Sequence, residues 1–283
     1  MWQQHKKRNP TRFLFFYNFI PRFDSLFKPM IKPVLPFKTL LFIALFGFTA
    51  CKSNYQLSQS KRTEYNINKD LPVDSTIIKT YNPYKIQMNA EMNQVIAHSS
   101  ALMSKIESDK NPESLLSNFF ADATFGEALK VDSTIDFAIP TTKGGLRVDI
   151  PKGAVTLSNI FETMPFENEL IVFTLSGADT QDLLNFIALN NGEPVSGLRM
   201  KIVEKKPVDI YINGKVFDPN KSYRILTTDY IAGGGDNFQS FKKPIDKKIL
   251  GLKVRTALIN YVQSLEKEGK TINPKLDGRI TKK

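Results

Sequence analysis

The chain has 283 residues, 41% hydrophobic and 24% charged, which is the composition of a folded chain of one or two domains and excludes wholesale disorder. Its net charge of +11 is uneven: of 39 Lys/Arg and 28 Asp/Glu, residues 1–50 hold eight and one, leaving 31 and 27, so no basic nucleic-acid face is expected on the body. A single cysteine, Cys51, and two histidines, His5 and His98, exclude an internal disulfide, a Cys-rich zinc site and a dinuclear metal centre built within this chain.

Residues 39–50 (TLLFIALFGFTA) form an apolar run behind Lys32 and Lys38, and the small residues Thr49 and Ala50 lead to Cys51. This is the layout of a secretory signal, and it is short for a permanent membrane-spanning helix. Met30 opens a signal of ordinary length, 30–50, so residues 1–29 read as an over-extended start. Phe48-Thr49-Ala50-Cys51 resembles a bacterial lipobox, with Phe48 in place of the usual Leu. The resemblance implies lipidation at Cys51, export, and a membrane anchor in the cell envelope through lipid alone. Residues 51–75 then read as a flexible tether and 76–283 as the globular domain.

Residues 76–91 read as a helix from the partly helical spacing of Ile77, Ile78, Tyr81, Tyr84 and Ile86, with Pro83 as a kink or break. Gln94 to His98 is a short strand candidate. Residues 113–129 give a helix, because Leu115, Leu116, Phe119, Phe120, Ala123 and Leu129 recur at three- and four-residue spacing. Residues 134–139 form a short strand stopped by Pro140, before a Gly-containing loop from Thr141 to Arg147. Residues 157–163 are a short helix with its cap at Thr156 or Ser158. Residues 169–175 (ELIVFTL) are a strand, and 177–190 a helix capped near Asp179 or Thr180. Strands follow near 198–204, 208–212 and 222–228, with Asn213-Gly214 as a hairpin signal. A Gly-rich loop covers 229–241 and a terminal helix 249–266. This irregular alternation predicts a mixed α/β domain rather than a purely parallel one.

Three segments carry candidate chemistry. In Thr142-Lys143-Gly144-Gly145-Leu146-Arg147, two glycines let a backbone approach a ligand, and Arg147 offers a bidentate fork for phosphate or another acceptor-rich group. A strand-end turn with a solvated Arg carries the same signature. In Thr163-Met164-Pro165-Phe166, Phe166 suits a stacking platform or a core position. In 227–238, the run Gly233-Gly234-Gly235 marks a conformational demand, Asp236 can accept from ribose hydroxyls or fix its own loop, and Tyr230 offers a second flat face. Neither a phosphate loop nor Rossmann spacing is present. His98 beside Ser99 and Ser100 lacks triad geometry, since adjacent strand residues point to opposite faces.

Taken in order, these segments resemble the C-terminal domain of the 5'-nucleotidase family, which includes UDP-sugar hydrolases and ecto-5'-nucleotidases. TKGGLR (142–147) stands for the family's Asn-Gly-Gly-Gly-Ile-Arg, and MPF (164–166) for its Leu-Pro-Phe. DYIAGGGDNF (229–238) stands for a Phe, a short spacer and Gly-Gly-Asp-Gly-Phe/Tyr. ESLLSNFFAD (113–122) is similar to the family's Asn-Leu-Gly-Asn-Leu-x-x-Asp helix, and Lys215 to Thr228, with Phe217, Asp218 and Tyr223, to its strand pair. The resemblance spans residues 76–281 and implies a four-layer α/β/β/α fold with mixed sheets.

Carried over by position, Phe166 and Tyr230 sandwich a base, with Tyr230 for the more usual Phe, a swap that stacking tolerates. Asp236 binds the ribose hydroxyls, Arg147 contacts the nucleotide, Gly144 and Gly145 line the pocket, and Lys110 sits roughly where the family has an Arg. Thr142 replaces an Asn that can read a base edge, and Lys143 replaces a Gly, which leaves open whether its side chain crowds the pocket. Asn237 also replaces a Gly, and Asn tolerates left-handed backbone.

Family members carry a second, metallophosphoesterase domain that holds two metals. This chain has no Asp-x-His, Gly-Asn-His-Asp/Glu or Gly-His-x-His. The resemblance therefore implies no metal, no cofactor and no catalytic residue in this chain, but a nucleotide- or nucleoside-recognising subunit of a split 5'-nucleotidase. Divalent metals are expected in a partner metallophosphoesterase chain, and nucleic acid is not an expected partner. The alternatives are a stand-alone nucleotide-binding lipoprotein and a structural one that kept the fold without activity. An exposed apolar face on the 76–91 helix favours the split enzyme.

Overall fold

The structure, a computed structural model, describes residues 60–105 and 111–283. The signal at 30–50, the lipidation site Cys51 and the candidate Lys110 lie outside the described residues. The chain divides into a unit ending at Leu71 and a compact unit from Pro72 to Lys283, which holds every described helix and strand.

Its first half runs α1 (Ser75–Met92), β1 (Val95–Ser99), α2 (Leu115–Val131), β2 (Phe137–Ala138), β3 (Gly153–Thr156), α3 (Leu157–Thr163), β4 (Glu169–Leu175) and α4 (Gly177–Leu189). The second half runs β5 (Leu198–Val203), β6 (Lys206–Ile212), β7 (Lys215–Val216), β8 (Tyr223–Thr228), α5 (Asp229–Ala232), β9 (Asp246–Lys253), α6 (Val254–Lys267) and β10 (Ile280–Lys282). Two four-stranded sheets result, ordered β2-β8-β4-β9 and β10-β5-β6-β7. Each has one parallel pair, β2 with β8 and β10 with β5, and is otherwise antiparallel. The fold is thus mixed α/β with mixed sheets.

The alternation of side chains on β4 divides the interior in two. Leu170 and Val172 face one core with Leu226, Leu116 and Phe120 of α2, and Val254, Leu258 and Val262 of α6. Ile171, Phe173 and Leu175 face the other, with Leu183, Leu184 and Ile187 of α4 and Leu198, Met200 and Ile202 of the second sheet. Burial on both faces is why β4 reads as a continuous apolar run. Each such side chain withdrawn from water contributes about 1.5–3 kcal/mol.

Several elements differ from their sequence reading. Pro83 does not break α1, which runs from Ser75 to Met92 behind the Asp74 cap; a proline removes one helical N–H, and the turns on either side keep theirs. Helix α4 is capped by Ser176, whose hydroxyl oxygen accepts from the Asp179 N–H, rather than by Asp179 or Thr180. The expected strand at 134–139 shortens to Phe137–Ala138. The terminal helix starts at Val254, because residues 246–253 form the outer strand β9. Strand β9 is mostly exposed, and its lysines and Gly251 hide the two-residue period.

The topology sets up the site. Because β2 and β8 are parallel, both end on the same side of the first sheet, and antiparallel β4 begins there. The loops after β2, before β4 and after β8 therefore meet at one end, tied by the Thr227 hydroxyl donating to the Ile139 carbonyl at 3.0 Å.

Candidate functional site

The three loops enclose a cavity of about 550 Å³ lined by Pro140, Thr141, Thr142, Gly144, Gly145, Arg147, Met164, Phe166, Glu167, Asn168, Thr228, Tyr230, Ile231 and Asp236. Seven of the eight residues carried over by resemblance line it together; the eighth, Lys110, is outside the described residues.

The first loop forms a single 3-10 turn over Lys143–Gly145. Thr142 caps it: its hydroxyl oxygen accepts from the Gly145 N–H at 3.1 Å and its hydroxyl donates to Asp236 Oδ2 at 2.6 Å. A Cβ on Gly145 would lie 2.2 Å from the Thr141 hydroxyl oxygen, so only glycine lets the turn close. Lys143 leaves the cavity. Its backbone N–H donates to Glu193 and its ammonium to the carbonyls of Asn190 and Asn191, just past the C-terminal end of α4, where a cation is favoured. It therefore does not crowd the pocket. Arg147 donates to the Gly144 carbonyl at 3.2 Å and lies 5.9 Å from the Phe166 ring centre, in cation-π range.

The second loop carries Phe166, 42% exposed, which rules out the core role open to it in the sequence. The loop is braced from α6. Arg255 stacks 4.1 Å from the Phe161 ring centre, donates to the Met164 carbonyl at 3.2 Å and pairs with Glu167, which also meets Lys253 at 2.6 Å. Asn168 donates to the Asp229 carboxylate at 2.8 Å and joins the second loop to the third. Glu167, Asn168 and Arg255 were not singled out by sequence; the first two adjoin Phe166, while nothing local marks Arg255.

The third loop carries Tyr230, 51% exposed, and Asp236. The Tyr230 hydroxyl donates to Asp236 Oδ1 at 2.9 Å, and this carboxylate raises the phenol pKa above its ordinary value. Gly234, Asp236 and Asn237 all have left-handed backbone, with φ of 92°, 50° and 66°. A Cβ on Gly235 would lie 2.5 Å from the Tyr230 ring, so the third glycine gives the ring its seat. The motif's final aromatic, Phe238, is by contrast buried, 4.4 Å from Phe186.

The arrangement offers two exposed aromatic faces, a guanidinium and a carboxylate around an apolar cavity, a pattern suited to holding a flat, polar-edged ligand. Among the described residues no three His, Cys, Asp or Glu side chains gather to hold an ion. His98 does not line the cavity and pairs with Glu266 at 3.1 Å.

The family model described as 5'-nucleotidase, C-terminal domain, matches residues 95–243. The trifunctional nucleotide phosphoesterase protein YfkN of Bacillus subtilis is 28% identical over 218 residues, covering 70% of this chain and 14% of YfkN. The cell wall protein Lmo0130 of Listeria monocytogenes is 28% identical over 246 residues, 74% of this chain and 31% of that protein. The crystal structure of a 5'-nucleotidase precursor from Thermus thermophilus superposes with a TM-score of 0.61 at 26% identity, over 75% of this chain and 44% of that one. The chain spans less than half the length of each of these relatives. With half of its residues under the family model and the family's loops converging on one cavity, the chain belongs to the 5'-nucleotidase C-terminal domain family.

Proposed function

We propose that this chain is the nucleotide- or nucleoside-recognising subunit of a split 5'-nucleotidase. Phe166 and Tyr230 hold the base between them, Asp236 faces the sugar, and Arg147 with the turn at Gly144 and Gly145 contacts the remainder of the nucleotide. A separate metallophosphoesterase chain supplies the divalent metals and hydrolyses the phosphate ester. The observation that carries this reading is the gathering of two exposed aromatics, a carboxylate and a guanidinium at one cavity.

Helix α1 supports a partner. It has 18 residues and none is buried, while Ile77, Tyr84 and Met88, which share one face at seven- and four-residue spacing, are each more than half exposed. Helices draw most of their stability from tertiary packing, so an apolar helix face left in water marks a contact surface. The residue pattern at 39–51 supports export and lipid anchoring through Cys51, in keeping with a relative named a cell wall protein. Mass spectrometry of the mature N-terminus checks this: a lipidated Cys51 is expected, and an unmodified chain beginning elsewhere removes the anchor.

Calorimetric titration with adenosine and AMP tests the binding reading. Saturable binding is expected in the native chain and its loss in a Phe166→Ala/Tyr230→Ala double variant. Absence of binding by the folded native chain moves the structural alternative to the front.

A further inference from the structure

Asp236 is engaged before any ligand arrives. Each of its oxygens already accepts one hydrogen bond from the chain, Oδ2 from Thr142 and Oδ1 from Tyr230. Neither donor is loosely held. The Thr142 hydroxyl is fixed by the Gly145 N–H that it accepts, and the Tyr230 ring is seated against Gly235. Asp236 itself sits in a left-handed conformation that few residues adopt freely, within a loop joined to the first one through its carboxylate. The phenol pKa is raised, so the Tyr230 hydroxyl remains a donor at neutral pH. A ligand hydroxyl that replaces such a donor gains only the difference between two similar hydrogen bonds. One that adds to it shares an acceptor already in use.

Resting on the nucleotide reading above, the geometry points to the Tyr230 hydroxyl as the determinant of sugar selectivity. It takes one lone pair of the carboxylate oxygen that a sugar diol would use and draws on its charge, which leaves the site almost indifferent to that diol. The site thus takes nucleotides by their base, with deoxyribose and ribose forms as one ligand class. A phenylalanine at position 230 would present the same flat face and free Oδ1 of Asp236. Thr142 acts in the same direction on Oδ2, but its hydroxyl also closes the 3-10 turn, so Tyr230 is the separable member of the pair.

Calorimetry on the full chain, kept in mild detergent for its apolar segment, tests this with AMP and 2',3'-dideoxy-AMP. In the native protein the two dissociation constants are expected within about threefold of each other. In Tyr230→Phe the ratio is expected to open to about tenfold in favour of AMP, as a charged acceptor becomes available to the diol. Tyr230 is half-exposed, and the melting temperature of the variant checks that the fold is kept. A native ratio already at tenfold, or a ratio that stays near unity in Tyr230→Phe, overturns the inference while leaving nucleotide binding intact. Failure of both compounds to bind either protein removes the nucleotide reading itself, and the inference with it.

Discussion

The guanidinium of Arg279 is gripped by both carboxylate oxygens of Asp122, at 2.7 and 2.9 Å, across 157 residues of sequence. Asp277 adds a second carboxylate, the Val195 carbonyl accepts another N–H, and the Ser196 hydroxyl donates to Asp122. The cluster binds α2 to the strand β10 that follows Arg279. The two acidic partners raise the arginine's pKa despite the opposing effect of its burial.

Asp122→Asn leaves a buried guanidinium short of one charge. It is expected to destabilise the fold by about 2 kcal/mol, since hydrogen bonds to charged groups contribute about 1.5–3 kcal/mol each. For a domain of this size that lowers the melting temperature by about 4–8 °C. An unchanged thermal transition would show that Asp277 alone suffices.

Acid sensitivity centres on Asp132. Its carboxylate accepts from Lys248, Thr134 and Arg224, which hold its pKa well below the ordinary carboxylate value against the opposing pull of burial. A depressed pKa contributes stability that is fully present above the unfolded-state value and is lost as pH falls toward the folded one. Stability is therefore expected to decline below about pH 4 more steeply in the native protein than in Asp132→Asn, read by denaturant titration across pH.

Gly235→Ala tests the seat of Tyr230. The backbone there is not left-handed, so the new methyl is resisted by the ring alone. The ring must shift, and nucleotide affinity is expected to fall about three- to tenfold, the range of an aromatic stacking contact. The melting temperature should hardly move. Unchanged affinity in calorimetry would mean that Tyr230 does not stack on the ligand.

Lys143→Ala gives the opposite signature. The ammonium serves the carbonyls of Asn190 and Asn191 and not the cavity, so ligand affinity is expected to persist while stability falls by about 0.3–1 kcal/mol. A loss of affinity without loss of stability would return the side chain to the pocket.

Much of this was legible in the sequence, and the exceptions share physical causes. The strand at 169–175 and the helix at 157–163 were read to the residue, because one is buried on both faces and the other has Thr156 as its cap. The site loops were legible because close approach leaves glycines behind: Gly145 and Gly235 each fill a place where a Cβ would collide. Strand β9 was missed because an exposed strand carries no apolar period. The turn joining β5 to β6 was placed a residue or two late, at 205–207, because Glu204 and Lys205, both at positive φ, do what Asn-Gly announces openly at 213–214. The path of Lys143 was out of reach, since it depends on where α4 ends in space.

Strand β9 has a further consequence. It pairs with β4 on one side and leaves its other edge without a neighbour among the described strands. Such a row of unmet amides and carbonyls invites a strand from a second molecule. Here the row is studded with Lys247, Lys248 and Lys253, and Gly251 turns through φ 66°. With three lysines against one aspartate, Asp246, the edge is net positive and two copies repel each other, and the bend spoils the register. The residues that concealed this strand from a reader of the sequence are the ones that keep the sheet from growing, so copies of the protein can crowd together without joining edge to edge.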